Sequence, residues 1–199
     1  MKGEYDKVYK LLKANPVFRV SEAGIFGIHR KTLHRMTQQN QLIRLCRGLY
    51  ADPNHIPGVY QSVIEAQKAV PRGVVCLFSA LSIHEIGIQN PSTIWMALPR
   101  GTRVPRTGNL PLDFVHYSLQ AYEEGRTTRV LDGVDIQVYN IPKTIADCFK
   151  FRNRIGLDIA IEALKDVVSN RRATNDEILK AAQICRVESV ITPYLESLQ

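Results

Sequence analysis

Five cations and two histidines fall between positions 29 and 50, in HRKTLHRMTQQNQLIRLCRGLY, without a single carboxylate. Arg30, Lys31 and Arg35 supply charged donors, His34, Gln38 and Thr32 supply neutral hydrogen-bonding groups, and Arg44 and Arg47 add two more cations further on. This inventory suits a polyanion. Duplex DNA carries a phosphate charge every ~1.7 Å of axis, and each phosphate neutralised adds about 0.9 to the salt slope of log K, so carboxylates would only subtract from affinity. The same charges without a ligand would be a solvated basic face.

These side chains need elements to carry them. Tyr5, Val8, Leu11 and Leu12 recur at helical spacing over residues 4–14, and Asn15-Pro16 ends that run, because proline disfavours helix in the residue before it. Phe18–Val20 is expected to be an extended link, Ser21 to cap a short helix through Glu22 and Ala23, and Gly24 and Gly27 to bracket a turn. From Ile28 onward Ile28, Thr32, Leu33 and Met36 form an inward stripe, while Arg30, Lys31, His34, Arg35 and Gln38 share the opposite face. Leu42–Leu45 and Leu49–Ala51 read as two short strands with Gly48 at the corner. Helix, short helix, turn, basic helix and hairpin is the order of a winged helix-turn-helix, whose second motif helix enters the major groove. A winged helix used only for protein contacts would show the same order.

Charge divides unevenly. Residues 1–58 hold 10 Lys/Arg against 4 Asp/Glu, whereas residues 59–199 hold 16 against 15. The basicity belongs to the N-terminal third, and the proline-bearing connector Pro53–Pro57 places a boundary near residue 58. Two domains are expected, 1–58 and 59–199. With 199 residues, 45% of them hydrophobic, each can bury a core. The sequence contains no run of 18 apolar residues and no signal-like N-terminus, so a cytoplasmic location is expected.

The second part reads as helix Ser62–Val70, a helix through VVCLFSALSIHEIG with Gly87 at its end, strands at TIWMALP, LDFVHYS and GVDIQVYN, and helices at KTIADCFKFR, LDIAIEALKDVVSN and TNDEILKAAQICRV. Thr174 and Glu177 fit a capping box. The fold class is α+β, an N-terminal winged helix-turn-helix followed by a mixed α+β domain.

Chemistry beyond binding finds little support. His84 and Glu85 with Ser79 and Ser82 lack a GxSxG or HExxH context, and helical spacing explains them as core and rim residues. Lys143, Asp147 and Lys150 near Arg152 and Arg154, with Asp132 and Asp135 as further carboxylates, loosely resemble a nuclease site; the alternatives are a solvated face around helix ends or a polar contact surface. Cys46, Cys76, Cys148 and Cys185 lie too far apart for a zinc motif and read as free, mostly buried thiols. No cofactor, metal or catalytic residue is assigned, so the chain is read as non-enzymatic. Arg100, Arg103 and Arg106 form a basic strand-to-strand connection suited to DNA or an acidic partner.

The strings LIRLCRGLYADP, VVCLFSALSIHEIG, TIWMALPRGTRVP, GVDIQVYNIPKTIADCFKFRNRIGLDIAIEAL and RVESVITPYLE, in that order and at those separations, resemble the AbiEi antitoxins of bacterial abortive-infection, type IV toxin-antitoxin systems. His29 stands where a Ser or Thr helix cap is expected. The resemblance implies a winged helix that represses its own promoter by binding inverted repeats. It also implies a C-terminal domain opposing a nucleotidyltransferase-like toxin, encoded alongside, without a stable complex. Lys143, Asp147, Arg152 and Arg154 are the candidate antitoxin surface. The competing functions are a ligand-responsive winged-helix transcription factor, which would need an apolar pocket with few polar groups, and an enzyme carrying a DNA-binding domain.

Overall fold

The computed structural model describes residues 2–88 and 91–198. They divide into two compact units, Met1–Pro71 with Val104–Leu110, and Arg72–Arg103 with Pro111–Gln199.

The first unit runs α1 (Lys2–Ala14), β1 (Val17–Arg19), α2 (Val20–Ile25), α3 (Arg30–Gln38), β2 (Ile43–Cys46), β3 (Leu49–Ala51) and α4 (Gln61–Ala69). Val8, Leu11 and Leu12 occupy one stripe of α1 and pack against Ala23, Ile28, Leu33, Met36 and Leu42, so α3 turns its apolar third inward. Burying a leucine such as Leu33, which is fully enclosed, contributes roughly 1.5–3 kcal/mol. The three strands form an antiparallel sheet ordered β1-β3-β2, with Phe18 opposite Tyr50 and their rings stacked 6.0 Å apart. Gly48, at φ +80, turns β2 into β3.

Several details depart from the sequence reading. Phe18 lies in a strand rather than a link, because β3 offers it a ladder partner. Ser21 is not the cap of α2: the N-cap lies two residues earlier, at Arg19, whose backbone N–H donates to the Glu22 carboxylate at 2.6 Å. Gly24 is inside α2, and Gly27, at φ +67, makes the turn. The division falls after Pro71 rather than near residue 58, because α4 is bound to β1 and α2. Arg19 donates to the terminal carbonyls of α4 at Lys68 and Ala69, and Lys68 pairs with Glu22 at 2.8 Å.

The second unit runs β4 (Val74–Val75), α5 (Leu77–Ile83), β5 (Ile94–Pro99), β6 (Leu112–Tyr117), α6 (Leu119–Glu123), β7 (Arg126–Leu131), β8 (Val134–Tyr139), α7 (Ile141–Lys150), α8 (Arg152–Ile155), α9 (Leu157–Ser169), α10 (Asn175–Cys185) and α11 (Glu188–Glu196). Its mixed sheet is ordered β6-β5-β4-β8-β7, with β5 parallel to β6, β4 parallel to β8, and the other pairs antiparallel. The helix expected through VVCLFSALSIHEIG is in fact β4 followed by α5. Val74 and Val75 add to the sheet beside β5, and Cys76 caps the helix from extended backbone. The Thr174–Glu177 capping box is present as expected. The unit as a whole is α+β.

The start of α3 is held from α1. His29 occupies the N-cap without a side-chain cap bond. Instead Glu4 accepts the His29 backbone N–H at 3.3 Å, the His29 Nδ1–H at 2.8 Å and the Thr32 hydroxyl at 2.5 Å. Those donors, Thr32 first and His29 next, pull the Glu4 carboxyl down to about 2. A depressed carboxylate contributes stability above its unfolded value of 4.5 and loses it as the pH falls through 2. Wild type should therefore exceed Glu4→Gln in urea midpoint at neutral pH, with the gap closing between about pH 4.5 and 2. A gap that stays constant across that window would show that Glu4 acts by shape rather than charge.

Candidate nucleic-acid interface

At roughly 100° per residue, Arg30, Lys31, His34, Arg35 and Gln38 lie within about 140° of the α3 circumference. All five are exposed, while Leu33 and Met36 on the other side are fully buried. Thr32 does not belong to this face. It is half-buried and its hydroxyl is committed to Glu4, so the candidate contact at Thr32 is withdrawn in favour of a positioning role.

Between the start of α3 and the β2–β3 hairpin lies a groove of about 900 Å3. Arg30 comes to it from α3, Arg44 and Arg47 from the hairpin, and Arg19 from the N-cap of α2, with Tyr50 and His29 on its wall. No carboxylate lines it among the described residues. Arg44 sits opposite Tyr50 in the ladder, which puts it on the groove side of β2, and Arg47 stands at the tip beside Gly48. The local field registers on Cys46: burial pushes its thiol up, while Arg19 and Arg44 pull it down. Sequence reasoning missed Arg19, which sits outside the 29–50 cluster and is brought to the groove only by the β1–β3 pairing.

A smaller cavity of about 380 Å3 in the second unit is also polar, walled by Thr127, Thr128, Arg129, Arg172 and Glu177. Neither cavity is the apolar pocket that a small-molecule effector would need. His84 is buried beneath this wall, where its Nε2–H donates to the Tyr139 carbonyl at 2.6 Å and burial lowers its pKa. Ser79 accepts the Trp95 N–H at 2.9 Å. Both are thus explained by the fold.

The candidate antitoxin surface divides. Lys143 and Asp147 are not at the surface. They form a fully enclosed ion pair at 2.5 Å within α7, with the Lys143 ammonium 4.3 Å from the Tyr117 ring and 4.1 Å from that of Tyr139. Four-residue spacing places them on the same helical face, and in this fold that face is the one turned into the core. Burial pushes the Asp147 carboxyl up, Lys143 opposes that, and the Cys185 thiol donates to Asp147 at 3.4 Å. Cys76, Cys148 and Cys185 are buried free thiols, and Cys185 is raised to about 12, chiefly by burial. Cys46 is half-buried. Asp132 and Asp135 are exposed around the β7–β8 turn, apart from enclosed Asp147, and no group of three His, Cys, Asp or Glu among the described residues could hold a metal. Arg152 and Arg154 do reach the surface. Arg152 donates to the Phe149 carbonyl at 2.9 Å, and the exposed Arg154 lies over Trp95 at 4.7 Å.

Removing one member of a buried pair leaves the other uncompensated, at a cost of about 3–5 kcal/mol. Lys143→Met alone should cost that much in urea titration, whereas Lys143→Met with Asp147→Leu should recover most of it. A double variant as unstable as the sum of its singles would mean that the two residues act independently and that the charge pairing itself contributes nothing.

No helix among the described residues is long and apolar enough to cross a membrane. No curated protein matches the chain in sequence. In fold it is similar to the crystal structure of RV2827C protein from Mycobacterium tuberculosis, at 13% identity and a TM-score of 0.62, covering 91% of this chain and 71% of that one. Residues 6–51, from α1 to β3, carry the cationic groove and match the model of the family described as transcriptional regulator, AbiEi antitoxin.

Proposed function

We propose that the chain is an antitoxin and autorepressor that binds inverted repeats in its own promoter and opposes a nucleotidyltransferase-like toxin without a stable complex. It acts by binding, not catalysis. The observation that carries the DNA reading is the carboxylate-free groove in which Arg30, Arg44 and Arg47 converge beside the exposed face of α3. In this reading α3 enters the major groove, where Arg30, Lys31 and Arg35 reach base edges or phosphates and His34 and Gln38 hydrogen-bond, while Arg44 and Arg47 hold the flanking backbone. The exposed Arg154 and the half-buried Arg152 remain as the antitoxin surface.

Two triple variants of equal charge separate this reading from a solvated basic face. Arg30, Lys31 and Arg35 replaced together by alanine should abolish retardation of a promoter duplex, a loss of at least 100-fold, since each good base contact contributes about 1–3 kcal/mol. The same replacement of Lys7, Lys10 and Lys13 on α1 should cost less than tenfold. Removing Arg44 and Arg47 should lower the salt slope by about 1.8, from ~0.9 for each phosphate contact, at unchanged sequence preference. Equal losses from the two triple variants would reject α3 as the reading helix. Growth protection against the co-expressed toxin should survive the α3 variant.

A further inference from the structure

The loop joining β5 to β6 contributes a segment, Val104–Leu110, to the first unit. Two contacts seat it there. Leu110 packs with Val17, Leu49 and Ala51 on the face of the small sheet away from the α1–α3 core. Gly108, at φ +64, lies so close to β2 that a Cβ would stand 2.8 Å from the Leu45 carbonyl oxygen and 3.5 Å from the Cys46 Cβ. Neither the backbone angle nor the gap admits a side chain. Since β2 is an edge of its sheet, the segment covers an open edge that would otherwise invite a foreign strand.

Edge cover accounts for Gly108 and Leu110 but not for Arg106. Arg106 is exposed and follows Pro105, whose fixed φ restricts the chain at that point. Two residues span at most about 7 Å, so the Arg106 Cα is held within that distance of Gly108, on the β2 side of the hairpin. Arg44 and Arg47 belong to the same hairpin, and no carboxylate among the described residues lies within 4.0 Å of Arg106. Arg106 therefore adds a further positive charge to the hairpin and the segment that covers it, a field that favours an anion there.

We propose that Val104–Leu110 is a third nucleic-acid-contacting element, alongside α3 and the β2–β3 hairpin, in which Gly108 and Leu110 fix the segment against β2 and Arg106 meets a backbone phosphate. The inference rests on the DNA-binding reading above and adds to it a residue far outside the 29–50 cluster. The contact is with phosphate, so it strengthens binding without choosing sequence.

Salt titrations of the full-length chain on a promoter duplex and on an unrelated duplex of equal length test it. Arg106→Ala should lower the salt slope by about 0.9 and weaken both complexes by a similar factor. Gly108→Ala, which keeps every charge but forces the segment off the Leu45 carbonyl, should lower the slope to the same extent, with folding followed by thermal melting. Arg100→Ala, which removes an exposed cation of the same loop outside the seated segment, should leave the slope unchanged. A wild-type slope in either the Arg106 or the Gly108 variant overturns the proposal, and so does an equal fall from Arg100→Ala, which would mean a diffuse field. If the variant lacking Arg44 and Arg47 also binds like wild type, the DNA-binding reading itself fails and takes this inference with it.

Discussion

A helix that gathers cations on one side repels itself there, and it must be held from the other. In α3 that hold comes from Leu33 and Met36, both fully buried, and from the Glu4 carboxylate, which gathers the backbone and side chain of His29 and the hydroxyl of Thr32. The location of Glu4 matters as much as its charge. It reaches the positive end of the α3 dipole from α1, so the helix gains the anion that its N-terminus favours without placing one on the outward face. α3 itself, RKTLHRMTQ, thereby carries no carboxylate.

The hairpin meets the same demand in a different way. A three-stranded sheet with strands of three and four residues buries little by itself, and its two faces are covered by separate clusters. The α1–α3 core takes Phe18 and Tyr50. The other face takes Val17, Leu49 and Ala51 with Ala69 of α4 and Leu110 of the inserted segment. The winged unit is therefore completed by two pieces of chain that follow the proline-bearing connector. Composition places a boundary at that connector because charge changes there, but packing ignores charge and follows the apolar residues of α4 and the position of Leu110.

What could be read from the sequence was what short spacing encodes. The amphipathic stripes of α1 and α3, the Gly48 corner and the Thr174–Glu177 box all depend on residues within about four positions of each other, and all are present in the structure. Position in three dimensions was not encoded in this way. β7 carries the polar run Arg126-Thr127-Thr128-Arg129, which gives no apolar strand pattern, yet on the outer strand of a sheet such residues are at home. Its signal was nevertheless present in Asp132-Gly133, both at positive φ, which forms a two-residue hairpin turn. Arg19 could not have been assigned to the groove, since only the pairing of β1 with β3 brings it there.

The misplacement of Lys143 and Asp147 shows a limit of charge as a guide. On an isolated helix two opposite charges four residues apart indicate water, because burial of either alone is costly. In α7 the cost is offset by each other and by surroundings that the local sequence does not show: two tyrosine faces from distant strands over the ammonium and a cysteine thiol from α10 on the carboxylate. The Tyr117 hydroxyl, also enclosed, is pushed well up, first by burial and then by the nearby Asp147 carboxylate. Such a pair adds little net stability compared with hydrocarbon of the same shape. Its physical consequence is directional, since α7 can seat only where Tyr117 and Tyr139 meet Lys143 while Cys185 meets Asp147. The five groups come from β6, β8, α7 and α10, so a single polar contact set fixes the relation of two strands and two helices within the second unit. An apolar core would be less selective about that register, and the half-buried Arg152 and exposed Arg154 just beyond α7 take their positions from it.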